Sequence, residues 1–161
     1  MKRAERKSQK LADRLKGLGT VIDGNTAQVG KPSGRYDSYK YDGFRFEGCT
    51  VGWREAHESS EAEKFLFKEI HEFAIPLAGL SQTSIRVDKI GASAYVISFT
   101  SLKLKQSIAS RVKTTHQDGS EDEANGYASG TGIYFQNEDI ARQVSKVLAT
   151  VVSYCQKQTA P

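Results

Sequence analysis

The chain has 161 residues, 26% of them charged and 38% apolar, with a formal net charge of +4. That size suits one domain with its own core, and no run of 18 apolar residues is present to form a membrane-spanning helix. Residues 1–16 hold seven Lys and Arg against Glu5 and Asp13, while the remainder holds 16 basic against 17 acidic residues, so the basicity sits in an N-terminal arm and the body is neutral.

Residues 3–18 place Ala4, Leu11, Leu15 and Leu18 at helical spacing, with Ala12 widening the stripe and Gly17 and Gly19 ending it. A short amphipathic helix is expected there. Its start, MKRAERKSQK, has the charge of a signal-peptide n-region, but no apolar h-region follows. The expected compartment is therefore the cytoplasm, with export of a longer precursor as the alternative. Residues 19–38 are rich in Gly, Asn, Ser and Asp and read as a linker.

In YKYDGFRF (39–46) an Asp-Gly pair is flanked by alternating aromatics, a pattern that predicts a hairpin with its tip at Asp42-Gly43. Tyr41 would then face Phe44, Tyr39 would face Phe46, and Lys40 would oppose Arg45 on the outer side. Two opposed cations are either a solvated pair or an anion contact, which makes Lys40 and Arg45 candidate anion-binding residues. The alternation slips at Gly48, the mark of a β-bulge, and resumes as Cys49, Val51 and Trp53.

REAHESSEAEK (54–64) reads as a polar connection. KFLFKEIHEFAIPL (64–77) reads as a strand carrying Phe65, Phe67, Phe73 and Ile75. A turn and a short strand with Ile85 and Val87 come next. AYVISFTS (94–101) is a strand with Tyr95, Ile97 and Phe99 on one face and Val96 on the other. A turn at 103–106 leads into a strand with Ile108 and Val112. Residues 116–130 read as a long polar loop, and GIYF (132–135) as the last strand. Residues 137–157 predict a helix with Asn137 as N-cap, Glu138 and Asp139 in the first turn, and an apolar stripe of Ile140, Val144, Val147, Leu148, Val151 and Cys155.

The succession FEGCTVGW, FAIPLAGLSQTSIRVDKI, YVISFTS and GIYFQNEDIARQVSKVLATVVSYC resembles a loose group of uncharacterised bacterial proteins with a pleckstrin-homology-like domain. The likeness spans residues 39–157 and implies an architecture, a small antiparallel β domain closed by one C-terminal helix. It implies no catalytic residues, and such proteins are often exported.

No pattern of chemistry stands out beside it. Cys49 and Cys155 form neither a metal motif nor a CxxC pair, and His57, His71 and His116 have no ligand spacing, so no metal or cofactor is expected. Asp118, Glu121, Asp122 and Glu123 miss the EF-hand pattern, since the sixth position from Asp118 is Glu123 where Gly is required. GYASGTG (126–132) lacks the lysine of a phosphate-binding loop, and its glycines read as turn residues. No GxSxG is present and no catalytic residue is assigned. Both cysteines fall on inward phases. They are either a disulfide, if the protein is exported, or two buried thiols in a reducing compartment.

The expected organisation is a basic helix, arm and linker over 1–38, one domain over 39–157 and a tail over 158–161. The expected fold is α+β: a curved antiparallel sheet or partly open barrel of about six to seven strands closed by one C-terminal helix, with a short N-terminal helix. The expected function is a non-catalytic binding or interaction module for a peptide, a lipid headgroup or a protein partner. The alternative is a binder of anionic surfaces or nucleic acid through the arm with Lys40 and Arg45, although the neutral body argues against nucleic acid. An uncharacterised hydrolase is a remote third reading.

Overall fold

The structure, a computed structural model, describes residues 2–159. Helix α1 (Lys2–Ile22) is followed by β1 (Thr26–Gly30), β2 (Arg35–Glu47), β3 (Thr50–Glu61), β4 (Lys64–Pro76), β5 (Arg86–Ile90), β6 (Ala94–Thr100), β7 (Ile108–His116), β8 (Glu121–Ala128), β9 (Gly130–Phe135) and helix α2 (Glu138–Thr159). The fold is α+β with antiparallel strands. They form two sheets, β1-β2-β3-β4-β7-β8 and β5-β6-β9, so the described residues hold nine strands, where about six to seven were expected, in a sheet arrangement not closed into a barrel. Among the described residues, no helix is long and apolar enough to cross a membrane.

One apolar cluster joins all the layers. Leu11, Leu15, Leu18 and Ile22 of α1 meet Val144, Leu148, Val151 and Val152 of α2, and both helices rest on side chains from the two sheets, among them Trp53, Ile75, Phe99 and Phe135. Burying a side chain of that size stabilises by roughly 1.5–3 kcal/mol. The N-terminal segment is thus part of the body and not a separate arm. Helix α1 also runs through Gly17 and Gly19, where a stop was expected. Gly19 is needed for contact, because a Cβ there would stand 2.6 Å from Phe44 Cδ1. The expected linker holds the end of α1, all of β1 and the start of β2.

Helix α2 begins as read, with the Ile140 N–H donating to Asn137 Oδ1 at 3.1 Å. Its buried stripe is rotated from the expected one: Ala141 and Val152 are inside, while Ile140 is 41% exposed. Of the expected tail 158–161, Gln158 and Thr159 belong to α2 and the last two residues lie outside the described ones.

YKYDGFRF is no hairpin. It lies within the single strand β2, which pairs with β3 from Arg35↔Glu61 to Glu47↔Thr50. The tip is Gly48-Cys49, with Gly48 at φ 56°. Pairing passes from Asp42↔Arg54 to Arg45↔Gly52, so Gly43 and Phe44 together oppose Trp53, which is a bulge with Gly43 at φ 65°. Turn and bulge have exchanged places relative to the sequence reading, because each uses a glycine with positive φ. The bulge shifts the phase by one residue, so Tyr39, Tyr41, Phe44 and Phe46 do share a face, along one strand and not as cross-strand pairs.

Two segments expected as polar connections are strands. Residues 54–61 continue β3, and the turn into β4 is Ala62-Glu63, both at positive φ (50° and 64°) with no glycine to announce it. Residues 121–128 form β8, whose carboxylates pair with β7: Glu123 with Arg111, Glu121 with Lys113, and Asp122 with His116. The glycines of GYASGTG likewise sit in strands, Gly126 in β8 and Gly130 and Gly132 in β9.

Candidate functional site

Alternation on three neighbouring strands brings polar side chains onto the face that elsewhere carries the core. Asp37, Tyr39 and Tyr41 on β2 stand beside Ser59, His57 and Glu55 on β3, which stand beside Phe67, Glu69 and His71 on β4. Farther along the same strands that face is apolar, with Trp53, Phe73 and Ile75 buried under the second sheet and the helices. Where the two sheets diverge, an open cleft of about 600 Å³ remains. Tyr39, Glu55, His57 and His71 line it from the large sheet, and Val96, Ser98 and Tyr134 from the small one.

The sheets are fastened at the back of this cleft. Tyr41 is fully buried; its hydroxyl donates to Glu55 Oε2 at 2.6 Å and accepts the Tyr134 N–H at 2.9 Å. Asn25 Nδ2 donates to the Tyr134 carbonyl at 2.8 Å. The Tyr39 ring lies between His57 (4.4 Å between centroids) and Tyr134 (3.9 Å), nearly parallel to both. Phe67 meets His57 edge-on, and His71 stacks on Phe73. On β9, Gly132 has no room for a side chain, since a Cβ would fall 2.8 Å from the Ile97 carbonyl oxygen.

Each acidic group near the cleft is engaged by the protein. Asp37, 2% exposed, lies 2.8 Å from His57 Nε2 and forms looser pairs with Arg35 and Lys31. Burial pushes its carboxyl up, but the hydrogen bonds of His57 and Ser59 and the charge of Arg35 hold it below the ordinary range. Glu69 lies 2.8 Å from His71 Nε2. Glu55 is raised, because burial outweighs the hydrogen bond from Tyr41 and the nearby histidines. Tyr39 and Tyr41 are raised as well, first by burial and then by Tyr134 for the one and Glu55 for the other. The cleft thus presents stacked tyrosine rings, imidazoles and one buried carboxyl, and no Lys or Arg is among its lining. Among the described residues, no group of three His, Cys, Asp or Glu side chains converges to hold a metal ion.

Lys40 and Arg45 lie on the outer side of β2, away from this cleft, and do not face each other. Lys40 pairs in register with Ala56, and the Arg45 side chain lies over Gly52. The depression beside Arg45 also holds Asp42, Arg54 and Glu72, a mixture of both signs. Cys49, at the β2–β3 tip, is joined by a disulfide to Cys155 in the last turns of α2. His57 and His71, fourteen residues apart in sequence, reach one cleft because β3 and β4 are adjacent and both side chains take the inward phase. The signal for them was present: Trp53-x-Glu-x-His-x-Ser continues an inward alternation through polar residues. Comparison with known protein families, with characterised proteins and with solved structures finds no match to this chain.

Proposed function

We propose that the protein is a non-catalytic binding module whose ligand enters the cleft between the two sheets, and that this ligand is a peptide segment carrying a Lys or Arg side chain. The observation that carries the reading is the lining itself: the Glu55 carboxyl beside the stacked rings of Tyr39 and Tyr134 and the imidazoles of His57 and His71, with no Lys or Arg among them. A Lys or Arg side chain entering between the sheets would lay its apolar stem along the ring edges and bring its charge to the Glu55 carboxyl, a charge-assisted contact. The internal pairs Asp37–His57 and Glu69–His71 favour a fixed wall over a proton relay. The pleckstrin-homology-like resemblance adds only its sheet-and-helix architecture to this reading.

Immobilised arrays of short basic and short acidic peptides test it. The parent protein should be retained by the basic set. Glu55→Gln should weaken retention roughly tenfold or more, the range for losing a hydrogen bond to a charged group, and Tyr39→Ala should weaken it similarly. Preference for acidic peptides, or unchanged binding by Glu55→Gln, would overturn the assignment.

A further inference from the structure

The basic segment of the sequence takes no part in the cleft. In α1, Arg3, Lys7, Lys10 and Arg14 follow at spacings of four, three and four residues, which aligns them on one side of the helix. Lys7, Lys10 and Arg14, with Lys157 of α2, rim a groove of about 430 Å³ between the helices, and Leu11 and Tyr154 lie within it. No ion pair holds any of these four rim cations among the described residues.

A second feature lies at the same end of α2. The segment Leu102–Lys105 alternates Leu and Lys, with Leu102 45% and Leu104 67% exposed. Lys103 and Leu104 both have φ of 53°, a left-handed conformation that costs energy in residues other than glycine. The loop is tied to α2 through its neighbours, on the side of the helix away from the groove: Ser101 pairs with Leu80, and the Leu80 carbonyl accepts Gln156 Nε2 at 2.6 Å, so loop and groove flank the same end of α2.

Cations around an apolar floor suit an anionic head on an acyl body. Leucines held out in water between lysines suit a bilayer surface, where the apolar tips enter the acyl region and the ammonium groups stay with the phosphates. A nucleic acid would use the cations and leave both leucines in water. We infer that this end of the molecule, the α1–α2 groove with the 102–105 loop, docks on an anionic phospholipid bilayer. This surface is separate from the peptide cleft, and neither assignment depends on the other.

Co-sedimentation of the full disulfide-bonded chain with lipid vesicles tests the inference. One preparation is phosphatidylcholine alone, and the other contains about one third phosphatidylglycerol, enough to give a strongly negative surface. Binding should appear on the anionic vesicles and be at least tenfold weaker on the neutral ones. The triple variant Lys7→Gln, Lys10→Gln, Arg14→Gln should bind about a hundredfold more weakly, a few-fold per cation. Leu102→Ser with Leu104→Ser should lose about tenfold or more, from apolar area that no longer leaves water. Both leucines are exposed, so this second variant keeps the fold, and a thermal melt verifies that. Lys7→Gln with Lys10→Gln serves if the triple variant melts early. Equal binding to both vesicle types, or either variant binding like the parent, overturns the proposal. So does a single-stranded oligonucleotide bound as tightly as the anionic vesicles and equally well by the leucine variant, since that outcome marks a general polyanion surface.

Discussion

Reducing the Cys49–Cys155 bond should lower stability by an amount that follows from chain length alone. The two cysteines are 106 residues apart. Cross-linking ends at that separation removes loop-closure entropy from the unfolded chain, which the chain-entropy relation puts at about 4.8 kcal/mol at 25 °C. With an unfolding entropy of roughly 2.1 cal/mol/K per residue, the whole chain gains about 0.34 kcal/mol/K at its midpoint, so the bond is worth about 14 °C in Tm. Calorimetry of the same protein with and without a phosphine reductant at pH 7 measures this without changing any side-chain volume. The Cys49→Ala, Cys155→Ala variant should fall at least as far, because Cys155 is fully buried and its sulfur leaves a cavity. A reduced form melting within about 3 °C of the oxidised one would refute the entropic reasoning. Two free thiols in protein purified without reductant would remove its premise.

Two glycines of α1 should respond to alanine with opposite signs. Gly17 has open space around it, so Gly17→Ala should stabilise by about 1 kcal/mol, whereas Gly19→Ala drives a methyl into the Phe44 ring and should cost about 1–3 kcal/mol; urea denaturation reads both. Tyr41→Phe leaves the Glu55 carboxyl and the Tyr134 N–H without a partner and should cost roughly 2–4 kcal/mol with an unchanged m-value. Asp37 is held below its unfolded value, so its contribution is present above the ordinary carboxylate range and is lost as pH falls through the depressed one. Asp37→Asn should therefore flatten the acid limb of a stability–pH curve and be less stable than the parent at pH 7. Glu55 is raised and acts in the other direction, losing stability as pH rises through its folded value, so Glu55→Gln should remove that loss.

What the sequence disclosed depended on whether a strand's inward positions were apolar. β6, β9 and α2 were readable because Ile97, Phe99, Ile133, Val144 and Leu148 repeat at the period of their element. β3 was legible only as far as Trp53, since Glu55, His57 and Ser59 carry the same inward phase in polar residues. That substitution hid the cleft, which consists of those positions. The turn Ala62-Glu63 was hidden because its positive φ angles fall on residues that rarely take them. Asp42-Gly43 misled for the opposite reason, as a strong local signal that fits a bulge as well as a turn. Which of the two forms was decided by the long partner strand and by the Asp42–Arg54 pair across it. The extent of α1 was obscured by two glycines, one of which the packing of Phe44 requires.

The docking of α1 against α2 sets an order of events during synthesis. α1 precedes all nine strands and α2 follows them, so more than a hundred residues separate the two helices in the chain. At about 5–20 residues per second, Leu11, Leu15 and Leu18 wait on the order of 5–20 s for the helix that covers them. Cys49 waits in the same interval for Cys155. The nascent chain therefore offers a greasy helix and a lone thiol together, and a factor that shields the first while guarding the second from wrong partners would meet both within the first third of the chain.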